Sequence, residues 1–252
     1  MNLIARINPV SRLLGALLFT TPLLITLDWV SATVAIAIIL LVAPLLGVSY
    51  YRLLRRGWPI FLAAPLAAIP MALYGRPGGE VHFEFWLLQV TDNSLSLAGA
   101  IALRVLAVGL PIVVLSADVD PTDLGDGLSQ ILKLPPKFVL GTVAAVRMMG
   151  LLRDDVEAMR RSRRSRGLAD TGRIKYWFTI AFGLLVMSLR RASKLATAME
   201  ARGFARSTTR TWARESRLFP RDWIFMFLCA AGAAIALGVA IYTGSFQFLG
   251  TI

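Results

Sequence analysis

Cysteine and histidine, the usual ligands of zinc-like metals, are nearly missing from this chain. Its 252 residues hold one cysteine, Cys229, and one histidine, His82. A lone cysteine excludes a disulfide within the chain, and its apolar setting fits a buried, inert thiol. A His/Cys metal cluster is excluded by number alone. No Gly-x-x-x-x-Gly-Lys-[Ser/Thr] loop is present to cradle phosphates, so any ATP has to be bound by another subunit. No Gly-x-Ser-x-Gly nucleophile elbow occurs either. The first apolar run lacks a small-residue cleavage site and more apolar runs follow, which argues against a cleavable signal peptide.

What the chain has in excess is apolar. Hydrophobic residues make up 56% of it and the mean hydropathy is +0.65, above the roughly 45–50% of a soluble domain. Five runs approach the ~17–25 residues that a spanning helix needs: Leu13–Leu27, Val30–Val48, Trp58–Tyr74, Leu95–Leu115 and Trp223–Tyr242. The first contains Pro22, the third Pro65 and Pro70, and the fourth Arg104 and Pro111. Prolines are tolerated in spans where neighbours satisfy the freed backbone groups. An arginine inside a span is costly and either contacts the bundle or snorkels to a boundary.

Charge orders these runs. The net charge is +12, and the 75 residues from Arg147 to Arg221 hold 18 Lys and Arg against 6 Asp and Glu. The whole excess therefore sits in one block, suited to anionic lipid, nucleic acid or an acidic protein surface. Arg6 and Arg12 precede the first run, and Arg52, Arg55 and Arg56 separate the second from the third. The positive-inside rule puts these and the basic block on the cytoplasmic side. The turn at Asp28 and the segment Gly75–Asn93, with Glu80, Glu84 and Asp92 against Arg76, then fall outside, as does the C-terminus. The expected fold is an all-α integral membrane protein of about five transmembrane helices, with a cytoplasmic amphipathic helix module before the last span. Its parts are residues 1–117, 118–221 and 222–252.

The segment between the fourth and fifth runs reads as helical. Asp120-Pro121-Thr122-Asp123 is a helix start for a short element ending near Lys133. Pro135-Pro136 stops and restarts the chain. From Phe138 to Arg166, Val146, Met149, Leu152, Val156 and Met159 recur every three or four residues as one apolar stripe. A second long helix is expected from about Arg173 to Arg202. Its apolar half, Trp177–Leu189, is too short to span and suits a buried or interfacial position. Arg206, Arg210, Arg214, Arg217 and Arg221 then form a juxtamembrane lipid anchor. The methionines at 149, 159, 187 and 199 fit an adaptable protein surface or simple core filling.

Both long helices end on a small residue, an arginine and a glycine: Ser165-Arg166-Gly167 and Ala201-Arg202-Gly203. Each alone is a helix stop, with a cation at the negative helix end and glycine in the left-handed position after the cap. Two on consecutive cytoplasmic helices also suit a grip on a partner's carboxylates, since guanidinium is a planar five-donor fork. Asp118, Asp120, Asp123 and Asp126 read either as helix capping or as ligands of a divalent ion in a membrane enzyme acting on lipid or phosphate groups. A third reading is a nucleic-acid or lipid-surface binder that uses bulk charge alone.

The hydrophobic N-terminal spans, basic helical insert, paired Xaa-Arg-Gly steps and final span resemble the transmembrane T component of energy-coupling factor transporters. Met199-Glu200-Ala201-Arg202-Gly203-Phe204 is similar to that family's signature, and Ser165 stands where Ala is usual. The resemblance implies a non-catalytic subunit of a multi-pass prokaryotic plasma-membrane importer for a vitamin or transition-metal ion. Arg166 and Arg202 would couple it to two ABC-type ATPase subunits, with Ser165, Gly167, Ala201 and Gly203 shaping the contacts. A small substrate-binding membrane subunit and membrane lipids are the other implied partners, with no nucleic acid. The chain itself would hold no cofactor; ATP and Mg would belong to the ATPases.

Overall fold

The structure, a computed structural model, describes residues 3–26, 28–75, 78, 81–85, 88–167, 172–204 and 211–246. The expectations for Leu27, Arg76, Glu80, Arg206 and Arg210 lie outside the described residues. Two compact units form. One joins Met1–Asp120 to Arg217–Ile252, and the other is Pro121–Ser216.

The first unit begins with a 3-10 turn, Leu3–Arg6, followed by α1 (Pro9–Leu24). Asn8 caps α1 by accepting the Val10 N–H at 3.0 Å, and Pro9 takes the first helical position, where no amide donor is needed. Helix α2 (Trp29–Leu45) starts on Asp28, whose carboxylate accepts the Ser31 N–H at 2.6 Å. Helix α3 (Tyr50–Tyr74) carries Pro59, Pro65 and Pro70 without breaking. It starts eight residues before the apolar run at Trp58. Arginine is a good helix former, and Arg52, Arg55 and Arg56 extend the helix beyond its apolar part.

A two-stranded antiparallel hairpin, β1 (Val81–Phe85) and β2 (Leu88–Thr91), links α3 to α4 (Asp92–Leu115). Thr91 and Ser94 form a reciprocal capping box at the start of α4, and the Ser94 hydroxyl also donates to the Ala72 carbonyl of α3 at 3.0 Å. Helix α8 (Pro220–Tyr242) completes the unit. By length and composition α3, α4 and α8 can cross a membrane, whereas α1 and α2, of 16 and 17 residues, are shorter apolar helices.

Helix α8 packs beside α1 through small residues. A Cβ on Gly15 would stand 2.8 Å from the Phe225 ring and 3.1 Å from Cys229 Sγ, and one on Gly232 would stand 3.1 Å from Phe19. Ala233, Ala236 and Ala240 continue the buried face of α8. Close approach through Gly and Ala is the usual basis of helix association where lipid replaces water.

The ends of the helices order this unit. Arg12 donates to the Ala117 carbonyl at 3.3 Å, so the start of α1 lies beside the end of α4. At the same end Arg56 pairs with Asp118 at 2.7 Å and Arg52 approaches it at 3.8 Å. Arg12, Arg52 and Arg56 thus converge on one end of the bundle, and the hairpin occupies the other end of α4.

Arg104 joins the turn between α1 and α2. It donates to Thr26 Oγ1 at 3.0 Å and to the Asp28 carbonyl at 3.3 Å, and lies 3.7 Å from the Asp28 carboxylate. The Asp28 side chain is fully buried and that of Arg104 is 10% exposed. Arg104 is twelve residues into α4, about 18 Å from its start at 1.5 Å per residue. The α1–α2 turn therefore reaches only to the middle of α4, and Arg104 satisfies its polar groups there.

In the second unit α5 (Pro121–Gln130) packs on α6 (Pro136–Ser165), enclosing an apolar groove of ≈ 370 Å³ that includes Leu124, Leu128, Phe138 and Val146. Residues 211–216 return along α5. Gln130 donates to the Arg214 carbonyl at 2.8 Å and accepts the Ser216 N–H at 2.9 Å. Helix α7 (Arg173–Ala201) is the last element of this unit.

Two substitutions separate tight from open glycines. Gly15→Ala drives a methyl into Phe225 and is expected to cost about 1–3 kcal/mol by overpacking. Gly238→Ala, with nothing within 4 Å of its added Cβ, is expected to be neutral or to stabilise by up to ~1 kcal/mol. Thermal unfolding in detergent distinguishes the two. Arg104→Leu strands the Asp28 carboxylate and is expected to cost about 3–5 kcal/mol. Adding Asp28→Asn to it should restore part of that loss in the same assay.

Candidate functional site: two arginine-bearing helix tips

The termini of α6 and α7 are built alike. Arg166 closes α6 with φ −93° and ψ 5°, and Arg202 closes α7 with φ −84° and ψ 7°. Each is followed by a glycine of positive φ, +68° at Gly167 and +77° at Gly203. In this region a side chain clashes with the backbone and glycine does not. No atom lies within 4 Å of a Cβ built on either glycine, so backbone conformation, not crowding, selects the residue.

At α7 the stop is a complete Schellman motif: the Gly203 N–H reaches the Glu200 carbonyl and the Phe204 N–H the Met199 carbonyl, both at 2.9 Å. At α6 the Gly167 N–H reaches the Arg164 carbonyl at 3.1 Å. The Ser165 hydroxyl donates to the Ser162 carbonyl at 2.9 Å. It is therefore turned onto its own helix, and Ser165 presents a small surface comparable to that of Ala201. All six tip residues are exposed.

The two helices are braced against each other. Arg191 of α7 meets Asp155 of α6 at two points, 2.7 Å and 3.2 Å. Next along α6, Met159 faces Gly183, whose absent side chain admits its sulfur to 3.1 Å of an ideal Cβ. Arg160 lies over the Trp177 ring at 5.1 Å and Arg163 over Tyr176 at 5.7 Å. Such cation–π contacts contribute about 0.5–2 kcal/mol each. The partners on α7 descend from 191 to 176 as those on α6 ascend from 155 to 163, so the helices run antiparallel. Their C-terminal tips accordingly point away from each other. Each arginine lies eleven residues, about 16 Å along its helix, from its end of the Asp155–Arg191 pair.

The other predicted residues fall as follows. Leu152, Val156 and Met159 of the α6 stripe are half-buried, while Val146 and Met149 are exposed. The apolar half of α7 buries only Ile180 and leaves Phe178, Phe182, Leu185 and Leu189 exposed along one stripe, which Ile174 extends toward the start of the helix. Of the four methionines, Met149 and Met187 are exposed and Met159 and Met199 half-buried. Of the aspartates near 120, Asp118 is paired with Arg56 in the first unit and Asp123 with Arg214 at 3.4 Å in the second. Among the described residues no three His, Cys, Asp or Glu side chains group as metal ligands. Sequence reasoning missed the Asp155–Arg191 brace and the stacked arginines. Their signal was the pairing of Asp155, Arg160 and Arg163 on one helix with Arg191, Trp177 and Tyr176 on the next.

The family described as CbiQ, "Cobalt transport protein", matches residues 1–211, a stretch that takes in both arginine tips. This chain belongs to the CbiQ family. The family supplies the transmembrane T component of energy-coupling factor transporters, a non-catalytic coupling scaffold whose ATP is hydrolysed by partner subunits, and the membrane-enzyme reading finds no support. The T component is similar over most of its length to curated proteins called "Energy-coupling factor transporter transmembrane protein EcfT". It is 28% identical to that of Brevibacillus brevis over 231 residues, 87% of each chain. It is 27% identical to that of Lactococcus lactis subsp. cremoris, covering 88% of this chain and 87% of the relative. For Listeria innocua the figures are 25% identity over 95% of this chain and 91% of the relative.

The left-handed glycines give a direct test of the tips. Gly203→Val should cost about 1–2 kcal/mol and fray the last turn of α7, whereas Gly203→Asn, which tolerates this conformation, should cost less. Hydrogen–deuterium exchange over residues 196–204 reads the difference.

Proposed function

We propose that this T component joins two ABC-type ATPase subunits to a small substrate-binding membrane subunit and passes their ATP-driven motion to it, in the uptake of a vitamin or transition-metal ion. Arg166 docks in one ATPase and Arg202 in the other, each donating to a carboxylate in a groove. Ser165, Gly167, Ala201 and Gly203 let the tips enter closely. ATP and Mg are held by the ATPases. The end of the membrane unit that bears Arg12, Arg52 and Arg56 faces the cytoplasm of a prokaryotic cell, and the basic charge of the inserted unit puts it on the cytoplasmic side too; the C-terminus lies outside.

The observation that carries this reading is that two exposed arginines, 36 positions apart, share one backbone conformation at opposite ends of a braced helix pair. A bulk-charge surface has no use for such a match. Several arginines of the basic block are also engaged within the unit, stacked on Trp177 and Tyr176 or paired with Asp155, and so contribute less to a diffuse patch.

Charge reversal tests the proposal. Arg166→Glu or Arg202→Glu puts a carboxylate against a carboxylate, and truncating one member of a buried interfacial charge pair already costs about 2–5 kcal/mol. Each variant is expected to insert normally and to lose at least tenfold in affinity for the ATPases, read by copurification and by uptake. Intact association and uptake in the double variant would refute the role given to the tips.

A further inference from the structure

Both chain segments that connect the first unit to the inserted unit are fastened to the same short stretch at the start of α1. The outgoing segment is held by Arg12, which is 5% exposed. It donates through Nε to the Ile7 carbonyl at 3.1 Å and through a terminal nitrogen to the Ala117 carbonyl at 3.3 Å. Next in the chain, Asp118 has a left-handed backbone, φ +54°, uncommon for a non-glycine residue. It is fixed by Arg56 at 2.7 Å and Arg52 at 3.8 Å. The Arg56 hydrogen bond and charge, with Arg52 and Arg12 adding to them, hold its carboxyl below the usual carboxylate range.

The returning segment is held by Asp222, which is fully buried. One of its oxygens accepts the Asn8 N–H and the other the Phe219 N–H, both at 2.8 Å. The Asn8 side-chain amide also donates to the Arg217 carbonyl at 3.4 Å. Residues more than a hundred positions apart in sequence are thus brought to one staple, Asn8 to Arg12. None of these bonds is needed to begin α1, which Asn8 caps through a different atom.

We propose that this staple is the fulcrum of coupling: Arg12 and Asp222 are positioning residues that keep both connecting segments fixed to α1, so that displacement of the inserted unit moves α1 and its neighbour α8 together. The inference rests on the coupling role above and adds the point of transmission. A segment tied at one end only would swing without load. Two segments tied to one helix transmit a push in either direction. The staple stays closed through the cycle.

The test uses the complete transporter, with ATPase and substrate-binding subunits, in liposomes. Arg12→Ala and Asp222→Asn should leave ATPase copurification and hydrolysis within about twofold of the wild type, while substrate moved per ATP hydrolysed falls at least tenfold. Arg12→Lys keeps one donor and should recover part of the loss. Unchanged transport per ATP in both variants would overturn the proposal, and so would failure of both to assemble, which would make the staple only a fold element. A second variant leaves the staple residue Arg12 in place: Asn8→Cys with Arg217→Cys, in a Cys229→Ala background, joined by a short bifunctional thiol reagent. Normal uptake after joining supports a staple that stays closed; loss of uptake overturns it. If charge reversal at Arg166 and Arg202 leaves the ATPases bound, the coupling role itself fails. If reversal releases them and the staple variants still transport normally, only the fulcrum fails.

Discussion

The membrane unit depends on one close contact, that of α8 with α1. These helices belong to one unit, although the whole of Pro121–Ser216 separates the chain's two contributions to it. In lipid there is no hydrophobic force to draw α8 back, so packing has to do it. Gly15 admits Phe225 and Cys229, Gly232 admits Phe19, and the alanines of α8 let the backbones stay near. The entropic cost of closing a long insertion grows only with the logarithm of its length, about 0.6 kcal/mol per doubling. A tight interface can therefore tolerate a large inserted unit. Closure also brings Asp222 beside Asn8, and with it the return of the connecting segment.

Much of this was legible in the sequence, and what was not has physical reasons. The five apolar runs became α1, α2, α3, α4 and α8, since apolar content is a local property. Their limits shifted where charge and helix propensity disagree, as at Arg52, Arg55 and Arg56, which continue α3 beyond its apolar part. The hairpin of β1 and β2 shows in the sequence only as a short alternation of Val81, Phe83 and Phe85 with His82 and Glu84 at a strand's period. The helix tips were legible because a left-handed residue marks itself by glycine. Arg104 and Asp28 each stand out as charges beside apolar runs, but their meeting depends on how far α1 and α2 rise beside α4, which no local pattern encodes. The same holds for Asp155 and Arg191, placed opposite each other only by the antiparallel course of α6 and α7.

The positive charge takes on two roles in the folded chain. Some arginines are structural: Arg12 and Arg104 fasten backbone carbonyls, Arg160 and Arg163 cover aromatic rings, and Arg191 and Arg214 meet carboxylates. Arg166 and Arg202 stay exposed at the tips. The net charge of +12 that first suggests a generic anion-binding surface thus resolves into internal ties and a few presented guanidinium groups. Arginine serves both, because its planar fork can bridge two acceptors or stack on a ring without losing its charge.

The short α1 and α2 have a consequence for the bilayer itself. A hydrocarbon core of about 30 Å needs about 20 helical residues, and these helices offer 16 and 17, with Leu24, Ile25 and Trp29 exposed at their shared turn. A hydrophobic surface shorter than the surrounding hydrocarbon is matched by thinning of the bilayer, by snorkelling of flanking residues or by cover from another subunit, at a cost of fractions of a kcal/mol per ångström. The turn that Arg104 and Asp28 hold is thus where this subunit's apolar surface is shortest, and where a difference in bilayer thickness would be felt first.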